Sequence, residues 1–209
     1  MPKALFLCSG TGSVGQPFRQ GGWEVIDVDW DGRFGAEIQT DITTWDYKAM
    51  FEPGHVWCCL GKSWLHPIFY SKNKRPPTRF WKKKADKLVQ SCLDIIEYLK
   101  PQFWFIENPD TGYLKTRTVL EGLPWTRVDY CMYQNPAMYR KRTRIWTNCK
   151  TWKPKLCDRS HVINGKHMCQ AQHSPSKGYK TSFSKDALHR LPKALCQEIF
   201  NVCVYDCKA

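Results

Sequence analysis

The chain has 209 residues, 42% of them hydrophobic and 14% aromatic, and a formal net charge of +13. This length predicts one domain with a sizeable core, and the aromatic content argues against disorder. No apolar run reaches the roughly 18 residues of a membrane span, and the chain enters a strand pattern at its start, so we expect an intracellular protein without a membrane segment or signal peptide. The positive charge favours a polyanionic partner, nucleic acid before membrane.

The start of the chain has the pattern of a nucleotide-binding corner. Residues 4–7 predict a buried strand, the Ser-Gly-Thr-Gly sequence at 9–12 breaks it, and residues 14–19 can begin a helix. Glycine lets the backbone approach a ligand, and the first-turn N–H groups of a helix remain free to bind it. A tight connection without any ligand gives the same pattern.

Acidic and aromatic residues follow the next two apolar stretches. Asp29 and Trp30 end the second predicted strand, and Asp41 and Ile42 follow a shorter one. A carboxylate about 20 residues beyond the first glycine is placed to accept hydrogen bonds from a ribose diol. Trp30 can then stack on a purine, and Asp41 can meet an exocyclic amine. Each acid alone is equally typical of a solvated loop, but together they favour an adenosyl site.

Strand and helix patterns alternate along the rest of the chain. Strands are expected at 55–60, 102–106 and 125–132, and helices or turns at 40–51, 85–99, 114–120 and 185–203, the last with Ser184 as N-cap. This alternation predicts an α/β, Rossmann-like sheet with helices on both faces. Such sheets bind ligands outside the carboxyl ends of their strands, where residues 9–12, Asp29 and Glu107 are all expected.

Two later motifs complete a family pattern. Glu107-Asn108-Pro109 follows the strand at 102–106, and Arg142 and Arg144 come further along the chain. Together with the earlier motifs in this order, they make the chain resemble the DNA (cytosine-5) methyltransferases over most of its length. The resemblance implies a methyltransferase sheet, S-adenosylmethionine as cofactor, DNA as partner and a monomer. The implied cofactor-binding residues are Ser9, Gly10, Thr11, Gly12, Asp29, Trp30, Asp41 and Ile42.

The resemblance also assigns roles around the target base, which must be flipped out of the duplex. It implies that Glu107 holds ring nitrogen 3 and the exocyclic amine of cytosine, and that Arg144 with Arg142 binds the base carbonyl and a nearby phosphate. A solvated strand end and a basic edge strand are the alternatives for these residues. Methylation of an adenine amine, based on the sequence from Asn108 to Tyr113, is discounted because this step follows the wrong strand and leaves the arginines unexplained.

The nucleophile of the family is missing from its expected place. The family attacks carbon 6 with a cysteine in a Pro-Cys step after the strand expected at 55–60, and this sequence contains no Pro-Cys. Cys59 lies near but several residues early, and a buried strand residue is its commoner fate. We therefore expect an impaired enzyme, or alternatively a catalytically dead, DNA-binding protein of the same fold.

A frame shift offers a more specific account of the missing motif. Read from the second base of the Lys62 codon, the chain can encode Ser-Pro-Gly-Cys, with the cysteine codon spanning Leu65 and His66. The hypothesis is that roughly residues 55–84, an atypical basic segment, are out of frame.

The carboxyl-terminal third is polar and rich in lysine. We expect a catalytic domain over 1–145, a small target-recognition region over 146–184 and a closing helix over 185–203 that packs back on the first domain. The eleven cysteines of the chain are expected to be thiols or metal ligands. Cys149, Cys157, His161 and His167 have a spacing that can hold zinc tetrahedrally, with solvated loop residues as the alternative.

Overall fold

A computed structural model describes residues 1–56, 58–62, 79–133, 139–160, 162–163, 166–167, 170–171 and 190–205. The strands are β1 (Lys3–Leu7), β2 (Glu24–Asp29), β3 (Ile38–Gln39), β4 (Cys58–Lys62), β5 (Phe103–Pro109), β6 (Trp125–Asp129), β7 (Tyr139–Arg140), β8 (Arg142–Thr147), β9 (Val162–Ile163), β10 (Lys166–His167) and β11 (Gln170–Ala171). The α-helices are α1 (Gly15–Gln20), α2 (Arg79–Leu99) and α3 (Lys193–Tyr205). Short 3-10 turns connect several of these elements.

Seven strands form the central sheet in the order β3-β2-β1-β4-β5-β8-β6. The pairs from β3 through β5 are parallel, so their carboxyl ends meet at one edge. Strand β8 runs antiparallel to both of its neighbours, β5 and β6. The α/β sheet predicted from the sequence is confirmed, whereas the reversed strand was not predicted.

Helices cover both faces of the sheet, as predicted. Successive strand residues alternate between the faces. Phe105 therefore packs with α1 and α3 in one core, and Ile106 packs with α2 in the other. We call these two sides the α1/α3 face and the α2 face. The end of α1 approaches α3 so closely that a Cβ atom on Gly21 would lie 2.2 Å from the ring of Phe200.

Two helices begin elsewhere than the sequence predicted. Helix α2 starts at Arg79 rather than at residue 85. The apolar pattern did not predict its first turn, because Phe80 is exposed rather than part of an apolar stripe. Helix α3 starts at Lys193, and residues 190–192 are not helical. Pro192 explains this start, because the residue before a proline is disfavoured in helical conformation. The expected N-cap Ser184 and the residues up to 189 lie outside the described part of the chain.

The helices of the described ranges include none with the length and apolar character to cross a membrane.

Candidate cofactor and base-binding site

The glycine turn after β1 has the backbone conformation that its sequence predicts. Cys8, Gly10 and Gly12 have φ angles of 52°, 55° and 64°. Two of these residues are glycines, which adopt this left-handed region without a steric penalty. Ser9 N donates to Val28 O at 3.1 Å, and Gly12 N donates to Ser9 O at 3.2 Å. The turn is thus fastened to the end of β2.

Asp29 joins the carboxyl ends of β1 and β2. Its Oδ2 accepts a hydrogen bond from Gly10 N at 2.8 Å, and its Oδ1 accepts one from Asp31 N at 2.9 Å. The residue is 5% exposed. Each carboxylate oxygen has two acceptor positions, so these bonds leave acceptor capacity on both. Asp29 therefore fixes the turn and is still suited to a ribose diol.

Trp30 and Asp41 lie beyond the same edge. The Trp30 ring is 70% exposed, which is unusual for a large aromatic side chain. Asp41 is exposed and accepts a hydrogen bond from Thr43 N at 2.9 Å through Oδ1, while its neighbour Ile42 is buried. Burial raises the pKa of the Cys8 thiol, and the nearby charges of Asp29 and Asp41 add to that effect. The charges of both carboxylates therefore raise the pKa of the same thiol, so Asp29 and Asp41 both lie near the end of β1.

The turn also contains polar atoms that the described residues do not satisfy. Thr11 Oγ1 and Ser13 Oγ are buried, and neither has a hydrogen-bond partner within the described ranges. Such a group costs free energy unless a ligand or water pairs with it. Together with the Asp29 carboxylate and the exposed Trp30 side chain, these hydroxyls are chemically suited to S-adenosylmethionine, which has an adenine, a ribose and a polar amino-acid end.

Glu107 lies at the carboxyl end of β5 and is 4% exposed. Three side chains meet at its Oε1. The hydroxyls of Thr143 and Tyr130 donate to it at 2.9 and 3.3 Å, and Lys141 Nζ lies 3.6 Å away. Lys141 is itself buried, with its ammonium 4.8 Å from the centre of the Tyr130 ring. A buried carboxylate is thus held in one orientation by two hydroxyls and an ammonium.

The two arginines are engaged with other acids. Arg142 makes a two-bond fork with Asp129 at 2.8 and 2.7 Å, and this interaction raises the pKa of the guanidinium. Arg144 Nε donates to Asp110 Oδ1 at 3.0 Å, and its guanidinium lies 3.7 Å from the centre of the Trp125 ring. Both arginines therefore have well-defined partners within the sheet.

The strand register separates these arginines from Glu107. Glu107 is paired with Ile145, and Asn108 is paired with Arg144. Directly paired residues project to the same face of a sheet, and neighbouring residues project to opposite faces. Glu107 therefore lies on the α1/α3 face and Arg144 on the α2 face. The structure does not bring Arg142 and Arg144 to the carboxylate, and their expected contacts with the base carbonyl and a phosphate stay predictions.

Cys59 is placed as a core residue. It sits in the middle of β4 between Leu5 and Trp104 and has no exposed surface. Burial raises the pKa of its thiol to about 12. Because the thiolate is the attacking form, this cysteine is unsuited to be a nucleophile at neutral pH. The burial of Cys59 thus counts against the role of nucleophile that the sequence suggested for it.

The structure gives no support to the zinc site. Within the described residues no group of three or more potential ligands surrounds a common point. Cys149 is buried with its Sγ 3.3 Å from Thr151 Oγ1, and Cys157 N donates to Asp129. His161 and the side chain of His167 lie outside what the structure describes.

Sequence reasoning missed the residues that surround Glu107. Lys141 and Thr143 alternate in sequence with Arg142 and Arg144. In a strand, this alternation predicts that Lys141 and Thr143 project to the face opposite the arginines. Tyr130 and the Arg144 partner Asp110 carried no comparable signal, because their contacts depend on the register of distant strands.

Comparisons with known proteins were made for the whole chain. It is 29% identical over 225 aligned positions, covering 96% of this chain and all of the relative, to a "Probable DNA (cytosine-5)-methyltransferase" of Frog virus 3 (isolate Goorha). A crystal structure described as a DNA modification methyltransferase encoded within an E. coli prophage matches 75% of this chain with a TM-score of 0.51 and 13% identity. The S. pombe Dnmt2 methyltransferase matches the same share with a TM-score of 0.44 and 13% identity. This chain spans about half, 51%, of each of those two solved chains.

No family model matches the sequence. The similarity to the viral relative nevertheless confirms the predicted resemblance to the DNA (cytosine-5) methyltransferases. The prophage structure confirms the predicted methyltransferase fold.

Proposed function

From the resemblance of this chain to a DNA (cytosine-5)-methyltransferase over nearly its whole length and from its methyltransferase fold, we propose that it is an S-adenosylmethionine-dependent protein that acts on cytosine in DNA. The observation that carries the proposal is the contact of Asp29 with Gly10 N at 2.8 Å. It unites the glycine turn and the acid after β2 into one cofactor corner, as the family pattern requires.

Each part of the cofactor has residues suited to it. The ribose diol would donate to Asp29, the adenine would stack on Trp30, and its exocyclic amine would donate to Asp41. The hydroxyls of Thr11 and Ser13 would pair with the polar amino-acid end. When bound, the cofactor supplies an electrophilic methyl group on a sulfonium.

Glu107 is the group suited to the target base. It stands at the same carboxyl edge as Asp29, because β5 and β2 belong to the parallel part of the sheet. A carboxyl group there can hydrogen bond to ring nitrogen 3 and the exocyclic amine of a cytosine that has been flipped out of the duplex. The net charge of +13 favours binding to the phosphate backbone of DNA.

Cys59, the cysteine that the sequence offered as nucleophile, is unsuited to catalysis. The sequence contains no Pro-Cys, and Cys59 is buried with a raised thiol pKa. Residues 63–78, which follow β4, lie outside the described part of the chain. We therefore propose that the chain as written binds cofactor and DNA but is impaired in methyl transfer. The burial of Cys59 favours, as second candidate, a catalytically dead DNA-binding protein.

Methyl transfer separates an enzyme from a dead binding protein. Full-length protein would be incubated with duplex DNA of mixed sequence and tritiated S-adenosylmethionine, and the DNA would then be digested and analysed for 5-methylcytosine. We expect binding of both ligands but no 5-methylcytosine above the level of Glu107→Gln, which removes the base-holding carboxylate. Formation of 5-methylcytosine well above that level would show that catalysis is intact, and label on adenine would overturn the proposal.

The coding DNA tests the frame-shift explanation. As written, Cys58 and Cys59 are fully buried in the centre of the sheet, so this part of the sequence fits the fold in its present frame. We therefore propose that any shifted segment begins after β4. Reading frame two should contain a cysteine codon across the Leu65 and His66 codons, and its absence would eliminate the explanation.

A further inference from the structure

Lys141 is an unusual lysine, because its side chain is only 3% exposed. Lysine is almost never fully buried without a partner, since removing an ammonium group from water is costly. Its partner is Glu107, with Nζ 3.6 Å from Oε1. On the basis of the proposed function, we propose that Lys141 is the positioning residue that holds Glu107 for recognition of cytosine.

The geometry supports a role in orientation. Lys141 Nζ, Tyr130 OH and Thr143 Oγ1 all contact the same carboxylate oxygen of Glu107. The ammonium also lies over the Tyr130 ring, so a cation–π interaction fixes its own position. A carboxylate held through one oxygen has a defined plane, and a defined plane gives directional hydrogen bonds.

The arginines of the same strand have a different environment. Arg142 and Arg144 pair with Asp129 and Asp110 on the α2 face, whereas Lys141 pairs with Glu107 on the α1/α3 face. In this chain the positive charge beside the Glu107 carboxylate is therefore supplied by the lysine that directly precedes Arg142.

The orientation of Glu107 affects whether the proposed site binds cytosine in preference to thymine. Cytosine donates from its exocyclic amine, whereas thymine has an accepting carbonyl oxygen at that position and its donor at ring nitrogen 3, so a carboxylate oxygen fixed opposite the exocyclic group favours cytosine. A site built to accept a hydrogen bond discriminates strongly against a ligand that lacks the donor. Loss of the Lys141 ammonium would remove the positive charge beside Oε1, loosen the orientation of the carboxylate and weaken this discrimination.

Binding to bulged DNA tests the role without requiring catalysis. Two duplexes would differ only in one unpaired nucleotide, cytosine or thymine, because an unpaired base costs least to extrude. Dissociation constants would be measured by fluorescence anisotropy with S-adenosylhomocysteine present, for the unaltered protein, Lys141→Met and Lys141→Arg. Lys115→Met is the matched control, since Lys115 is a lysine 3.9 Å from another carboxylate, that of Asp110.

We expect the unaltered protein, Lys141→Arg and Lys115→Met to prefer the cytosine bulge by about tenfold. Lys141→Met should lose most of this preference, with unchanged affinity for S-adenosylhomocysteine. If Lys141→Met fails to fold, Lys141→Gln serves for the same comparison. Full preference in the folded neutral variant would overturn the role of Lys141 alone. Absence of any preference in the unaltered protein would overturn both this role and the proposed recognition of cytosine.

Discussion

The two halves of the candidate site are built in different ways. On the cofactor side, Asp29 reaches Gly10 because β1 and β2 are adjacent parallel strands whose ends necessarily coincide. On the base side, the surroundings of Glu107 depend on the register of the reversed strand β8. A shift of one residue there would exchange Lys141 and Thr143 for Arg142 and Arg144. Sequence motifs therefore place cofactor residues more securely than they place residues around the base.

Replacement of Arg144, on the base side of the site, is expected to have the largest effect. Arg144→Met removes a guanidinium whose side chain is 12% exposed and leaves Asp110 without its nearest partner. We expect the free energy of unfolding to fall by about 2 kcal/mol, because a largely buried carboxylate loses a charged hydrogen bond. Arg142→Met is the comparison, with a smaller expected loss of about 1 kcal/mol, because the Arg142 side chain is 49% exposed and the buried Asp129 keeps its hydrogen bond from Cys157 N. Urea denaturation measures both changes.

The same two variants show whether the arginines touch the base. Because they lie on the α2 face, the preference for a cytosine bulge over a thymine bulge should remain in both. Collapse of that preference in Arg144→Met, with the fold intact, would mean that Arg144 shares the base pocket with Glu107 and that the register of β8 is different.

Two glycines, Gly10 and Gly22, test the cofactor side of the site. Gly10 and Gly22 both have left-handed backbone conformations, and an added Cβ at either position would meet no atom within 4 Å. Alanine at each should therefore cost a similar free energy of unfolding, about 1 kcal/mol, through backbone conformation alone. Only Gly10→Ala should weaken cofactor binding, by about tenfold, because only there would backbone strain displace the N–H that Asp29 accepts in the proposed cofactor corner. If calorimetry gave equal cofactor affinities for Gly10→Ala and Gly22→Ala, the glycine turn would not be part of the cofactor site.

The smallest expected effect concerns Cys59. Its thiol pKa of about 12 leaves almost no thiolate at pH 8, so iodoacetamide should not label it in the folded protein. Because the thiol binds its proton more tightly when folded, its contribution to stability is complete below the unfolded pKa near 9 and is lost as pH rises towards 12. Cys59→Ala should flatten the fall in stability over that alkaline range and leave cofactor affinity unchanged. Rapid labelling at pH 8, followed in peptide mass spectra, would show that the thiol is accessible.

The sequence predicted the elements whose signals are local. Strand β1, the glycine turn and the acid after β2 follow from apolar runs and glycine spacing, and the structure has all three. It missed the first turn of α2, where Phe80 and the lysines show no apolar period, and it extended the last helix through Pro192. The partners of Glu107 were not predicted, because a single sequence does not indicate the register between distant strands.

Calorimetric titration of S-adenosylmethionine into the full chain tests the central claim, that the edges of β1 and β2 form a cofactor site, most directly. Asp29→Ala should raise the dissociation constant by roughly 10- to 100-fold, the range expected for lost hydrogen bonds to a charged group. Asp46→Ala, which removes only the exposed cap of the turn at Tyr47–Ala49, should bind like the unaltered protein. Equal affinities for Asp29→Ala and the unaltered protein, with the variant shown to be folded, would contradict the account.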